Sequence, residues 1–177
     1  MRSRDVLADA FARVHGAAHA AVADLTVDQL TWRADPDANT VAWLVWHLTR
    51  VQDDHVAAVA RFEQVWTARG WAERFALPFD VREIGYGHDR GDVAAVRADA
   101  GLLTGYLDAT HQQTLRYLGT LTDADLDRVV DEEWDPPVTL GVRLVSVVDD
   151  DLEHVGQAAF VRGLVRRVAE RGPGVTG

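Results

Sequence analysis

The chain has 177 residues, 47% of them apolar and 26% charged, with 18 basic against 28 acidic residues for a formal charge of −10. This length suits one domain with a proper core, residues 1–177, and so acidic a chain repels nucleic-acid phosphates and anionic membranes. It has no cysteine, which excludes disulfides, thiolate metal sites and cysteine nucleophiles, and no lysine, which excludes Schiff-base chemistry.

From the N-terminus, Ser3 to Ala23 carries Val6, Leu7, Ala10, Phe11, Val14, Ala17 and Ala18 at helical spacing. Charged residues interrupt Met1–Val14, which argues against a signal peptide. Asp24–Asp37 reads as a connection in which Thr26 and Gln29 form a capping box for a short turn. A second helix is expected from Asn39 or Thr40, either of which can cap it, to about Trp66. Its apolar stripe is Val41, Leu44, Val45, Leu48, Val51, Ala58 and Val59. The longest wholly apolar stretch, Val41–Trp46, is far short of the roughly 20 residues of a spanning helix, so a cytoplasmic protein with no membrane or nucleic-acid partner is expected.

Gly70–Asp92 holds Pro78, Gly85, Gly87 and Gly91 without sustained period, and reads as a lid, a binding loop or a plain crossover. A third helix is expected from Asp92 or Asp99 to Leu121, burying Leu102, Leu103, Tyr106, Leu107, Leu115 and Leu118. Thr122 with Asp125 gives another cap-like start, and Trp134-Asp135-Pro136-Pro137 a rigid turn. The fourth helix is expected from Thr139 to Glu170, with Leu144, Val147, Val148, Val155, Ala158, Ala159, Val161 and Val165 in the core and Gly172-Pro173-Gly174 as its stop. No segment alternates convincingly at period two. The pattern is all-α, a four-helix bundle with one long crossover.

Asp150 and His154 are four residues apart, about 400° and roughly 6 Å along a helix, so they share one face. That is the spacing of two ligands of one metal ion. His47 lies on the apolar side of the second helix between Leu44 and Val51, with Asp54 and His55 returning near the same face. Three nitrogen and oxygen donors with open positions describe a catalytic rather than a structural metal centre, suited to zinc, nickel, iron or manganese. Spacing leaves other readings open. His47 can be a hydrogen-bonded core histidine, Asp149–His154 a solvated acidic patch, and Asp151 competes with Asp150 as ligand.

The segments Val41-Ala-Trp-Leu-Val-Trp-His47-Leu-Thr-Arg-Val-Gln-Asp-Asp-His55 and Asp150-Asp-Leu-Glu-His154-Val-Gly-Gln-Ala-Ala-Phe-Val-Arg162-Gly resemble those of the DinB-like superfamily over nearly the whole chain. The resemblance implies a four-helix bundle holding a divalent metal, zinc or nickel foremost, with one ligand from the second helix and two from the last. Carried over, the ligands are His47, Asp150 and His154. Many relatives have His where this chain has Asp150, whereas mycothiol-dependent maleylpyruvate isomerases have the acid Glu. The resemblance therefore favours Asp150 over Asp151.

It further implies a thiol-dependent transferase or isomerase of small electrophiles, using mycothiol, bacillithiol or glutathione. Asp54 or His55 would orient a ligand or act as general base, and Arg162 would meet an anionic thiol or substrate. The bland alternatives are a polar helix flank for the first two and a helix-end arginine for the third. Maleylpyruvate isomerases carry a further C-terminal domain with no counterpart in these 177 residues, which argues against that substrate. Competing expectations are a non-catalytic metal- or ligand-binding stress protein and a purely structural helical homodimer. A di-iron centre would want two Glu-x-x-His motifs, and a serine hydrolase a Gly-x-Ser-x-Gly elbow; neither occurs.

Overall fold

The computed structural model describes residues 2–171, so the expected stop at Gly172-Pro173-Gly174 lies outside the described residues. In chain order the elements are α1 (Ser3–Val22), α2 (Val27–Leu30), α3 (Val41–Ala60), α4 (Val65–Ala68), α5 (Trp71–Phe75), α6 (Arg90–Ala95), α7 (Ala100–Thr120), a 3₁₀ turn (Asp123–Asp127), β1 (Val129–Asp131), β2 (Val138–Thr139) and α8 (Leu140–Arg171). The four long helices α1, α3, α7 and α8 form the bundle: α3 packs on α7 and α8, and α1 packs on the same two.

The expected caps start the helices. Thr40 Oγ1 accepts from Trp43 N at 3.0 Å and starts α3. Asp99 Oδ1 accepts from Leu102 N at 2.7 Å and starts α7. Thr26 and Gln29 make the reciprocal pair that begins α2. Each such side chain satisfies backbone N–H groups that have no partner inside the helix.

From Val41 to Asp53 every residue of α3 is buried. A helix covered all round lies at the centre of a bundle, and α3 accordingly carries Trp46, Leu44 and Leu48 into the main core with Phe75, Leu103, Tyr106 and Leu107. A second cluster of Leu7, Phe11, Val56, Leu118, Leu140 and Leu144 completes the core. Full burial of such side chains stabilises the fold by about 1.5–3 kcal/mol each.

Several boundaries differ from expectation. The second helix stops at Ala60, where Arg61 takes a left-handed conformation (φ 60°), instead of running on to Trp66. The chain turns because the buried Asp53 carboxylate accepts from Val65 N and Trp66 N at 2.9 and 2.8 Å, starting α4 as a separate turn. The Gly70–Asp92 segment contains α5 and the start of α6, capped by Asp89, and α6 and α7 are separate helices. A small antiparallel hairpin, β1 with β2, surrounds the Trp134–Pro137 turn, with Asp135–Pro136 cis. Strands of three and two residues are too short to show alternation. Val6, Ala17, Ala58, Leu115 and Ala159, expected on the apolar faces, are exposed. They sit at the edges of their apolar stripes, where neighbouring helices do not reach.

Candidate metal centre

His47 on α3 and Asp150 and His154 on α8 each bring one donor atom to a common point, all within 4.8 Å of one another. The two imidazole rings meet edge to face, centroids 4.5 Å apart. Helix packing provides the pairing: α3 and α8 lie side by side, and His47 is 2% exposed between them.

Each ring is oriented through Nδ1. His47 Nδ1 donates to the carbonyl of Ile84 at 2.5 Å, and Trp43 stacks on the ring with centroids 4.6 Å apart. His154 Nδ1 faces the carbonyl of Asp150, one turn earlier, at 2.7 Å. With Nδ1 of His47 so engaged, its Nε2 is left for the centre, the arrangement metal-binding histidines adopt. Burial pushes the His47 imidazole down to about 4, against the opposing pull of the Ile84 carbonyl, so this ring is neutral at physiological pH. The Asp150 carboxylate, with Nδ1 of His154 3.3 Å from its Oδ2, raises the His154 imidazole above its ordinary value despite burial. Burial acts to raise Asp150, yet His154 outweighs it and the carboxyl stays below the usual range.

Whether these residues suit a metal ion is tested by Asp150 Oδ2. It is buried and makes no hydrogen bond of good geometry among the described residues, its contact with Nδ1 of His154 being a long one at 3.3 Å. A buried carboxylate oxygen so weakly paired is costly, and a divalent cation held by it and the two imidazoles would supply a strong partner. The donor set fits. Asp151, the competing acid, is fully buried apart from this group, both oxygens lacking hydrogen-bond partners among the described residues. Burial and the neighbouring Asp150 charge push its pKa well upward.

A cleft of about 400 Å³ opens beside the centre, lined by Val51, His55, Tyr86, Asp131, Trp134, Val138, Arg143, Ser146, Val147 and Asp150. His55 therefore faces the same cleft as Asp150. Its Nδ1 lies 3.3 Å from Arg143 Nη1, and Arg143 is held by Asp131 at 2.7 Å. Burial lowers the His55 pKa, with Asp54 opposing, so the neutral ring accepts from Arg143 on Nδ1 and carries its proton on Nε2. Asp54 does not line the cleft; its carboxylate accepts from Gln64 Nε2 at 2.7 Å. Arg162 does not join the group either. It donates to the carbonyls of Ala21 and Ala23 at the end of α1, whose last C=O groups lack helical partners.

Tyr86 and Arg50 were missed by sequence reasoning. The Tyr86 hydroxyl lies 3.5 Å from Asp150 Oδ1, its ring edge-on to His47 at 5.4 Å. Burial, then Asp150, raises its pKa, so it stays protonated. Arg50, with no exposed surface, donates to the carbonyls of Glu83 and Val81 and to Gln64 and Tyr106. It thereby ties the loop carrying Ile84 and Tyr86 to α3. The Tyr86 signal, an aromatic between Gly85 and Gly87 in an aperiodic segment, has no register to place it; Arg50 sits one turn from His47, on a helix whose burial all round is a tertiary outcome.

Among the described residues no helix is long and apolar enough to cross a membrane. No curated protein matches the chain. A crystal structure of a conserved protein from Enterococcus faecalis is similar, with 32% sequence identity, a TM-score of 0.88, and coverage of 95% of this chain and 99% of that one. The model of the DinB superfamily matches residues 10–158. With the four-helix architecture and the histidine and aspartate group between α3 and α8, this chain belongs to the DinB superfamily.

Proposed function

We propose that the chain is a metal- and thiol-dependent transferase or isomerase of small electrophiles, with His47, Asp150 and His154 holding zinc or nickel. The observation that carries this reading is the convergence of His47, His154 and the buried, weakly paired Asp150 Oδ2 within 4.8 Å, at the wall of an open cleft. A divalent ion there supplies a Lewis acid that lowers the pKa of a thiol, so that thiolate is available near neutral pH.

The residues around it divide the remaining work. Val51, Val138, Val147 and Trp134 offer an apolar wall to the carbon skeleton of an electrophile. Arg143 and the Nε2–H of His55 present donors to a carboxylate or carbonyl on it. With Nδ1 engaged by Arg143, His55 serves as a donor rather than as the general base. When a thiolate sulfur bonds to the electrophilic carbon, the displaced electron pair moves to the neighbouring carbon or the leaving group. Tyr86, protonated and next to Asp150, is the proton donor for that position. Mycothiol, bacillithiol and glutathione are the thiols to be compared.

The test is elemental analysis of the untagged protein beside a His47→Ala, His154→Ala variant, followed by turnover of 1-chloro-2,4-dinitrobenzene with each thiol. Zinc or nickel lost from the double variant, and turnover lost with it, is expected. Absence of metal at this site after incubation with excess zinc or nickel and dialysis overturns the centre. Metal without turnover of any electrophile leaves a non-catalytic metal-binding bundle instead.

A further inference from the structure

Among the described residues a second group of metal-ligating side chains lies on the other side of the bundle, between α1 and α7. His15 and His19 stand four residues apart on α1, the spacing that puts two imidazoles on one helix face. Their Nε2 atoms lie 2.6 and 2.7 Å from the same oxygen, Asp108 Oδ1 on α7, and the three donors fall within 4.8 Å of one another. Two rings and a carboxylate oxygen already share one point.

A second observation sets this group apart from an ordinary surface pair. His111, one turn beyond Asp108, stacks flat on His15 with centroids 4.3 Å apart and planes at 19°. His111 is 9% exposed, and its Nδ1 is buried with no hydrogen-bond partner among the described residues. Its ring holds that of His15 in place, so little freedom remains to be lost on binding an ion. His15, His19 and Asp108 are half-buried, which leaves the outer side open to water as further ligands.

We propose that His15, His19 and Asp108 form a second divalent-cation site that ties α1 to α7. The ion replaces the two N–H···O hydrogen bonds with two Nε2 ligands and one carboxylate ligand, each ring binding it as the tautomer whose proton sits on Nδ1. Mixed imidazole and carboxylate donors suit zinc or nickel here as well. The site shares no residue with the group on α3 and α8, and stands or falls separately from it.

Zinc binding is measured by equilibrium dialysis and elemental analysis on four full-length proteins: wild type, His47→Ala with His154→Ala, His15→Ala with His19→Ala, and all four substitutions. Two equivalents are expected for the wild type, one for each double variant and none for the quadruple. One equivalent in the wild type that disappears only on changing His15 and His19 would sustain this site while overturning the other. A folded His47→Ala, His154→Ala protein that takes up no zinc from 100 µM solution overturns the proposal. Because the α1 variant can fail to fold, Asp108→Asn is titrated in the His47→Ala, His154→Ala background. At least a tenfold loss of zinc affinity is expected, with zinc-dependent shifts of the His15 and His19 imidazole ¹⁵N resonances before the substitution. Unmoved resonances, or affinity unchanged by Asp108→Asn, refute the site.

Discussion

Gly85 lies directly against the imidazole of His47. A methyl group built on Gly85 would stand 2.4 Å from His47 Nδ1 and 3.2 Å from its Cγ, and the residue has φ +108°. The contact places the Ile84 carbonyl on Nδ1 and leaves Nε2 facing Asp150 and His154. Only glycine serves both the dihedral and the contact.

Gly85→Ala is therefore expected to displace the loop or the ring. Metal affinity should fall by about 10–100-fold, as when the group orienting a ligand is lost, and stability by about 1–3 kcal/mol from the strained backbone. Chelator competition and urea unfolding measure the two. Gly16→Ala is the control: a Cβ there meets nothing within 4 Å, and the helix should gain up to about 1 kcal/mol. Unchanged metal affinity in Gly85→Ala would show that Ile84 does not orient His47.

Acid should weaken the metal-free protein through His47. Burial holds its folded pKa near 4, below the ordinary 6.5, so the folded protein keeps the ring neutral while the unfolded chain takes up a proton. This contribution is fully present above pH 6.5 and is lost as pH falls toward 4, about 3 kcal/mol in all. Urea midpoints between pH 7 and 4 should fall less steeply for His47→Gln than for the wild type. Parallel curves would mean that the unprotonated ring is not required by the fold.

Arg50→Met is expected to cost about 3–5 kcal/mol in urea unfolding. It leaves the buried Asp53 carboxylate, 3.9 Å away, without its nearest cation, although Asp53 keeps its bonds from Val65, Trp66 and Tyr106. The same change frees the carbonyls of Val81 and Glu83, so amide exchange should accelerate at residues 81–86 more than in α1. Uniform acceleration across the chain would argue against a tie between this arginine and the loop.

Tyr86→Phe should leave metal content unchanged and lower turnover by about 10²-fold, the low end for loss of a positioned proton donor. Steady-state kinetics at several pH values, with metal content determined in parallel, provides the comparison. Equal turnover in both proteins would remove Tyr86 from the chemistry.

Helix starts and faces were legible in the sequence because they depend on local physics. Thr40, Asp99 and the Thr26–Gln29 pair satisfy their own N–H groups within three residues, and the spacing of Asp150 and His154 follows from one turn of helix. Interruptions were not legible when a distant group caused them, as the Asp53 carboxylate does in starting α4. His47 and the Asp150–His154 pair could be nominated from pattern and family resemblance. Their meeting, the separation of Asp150 from Asp151, the turning away of Arg162 and the arrival of Tyr86 depend on how α3, α8 and the loop before α6 pack. Periodicity reports which side of a helix is apolar. It carries no information on which neighbour that side meets, and that was settled by the tertiary structure alone.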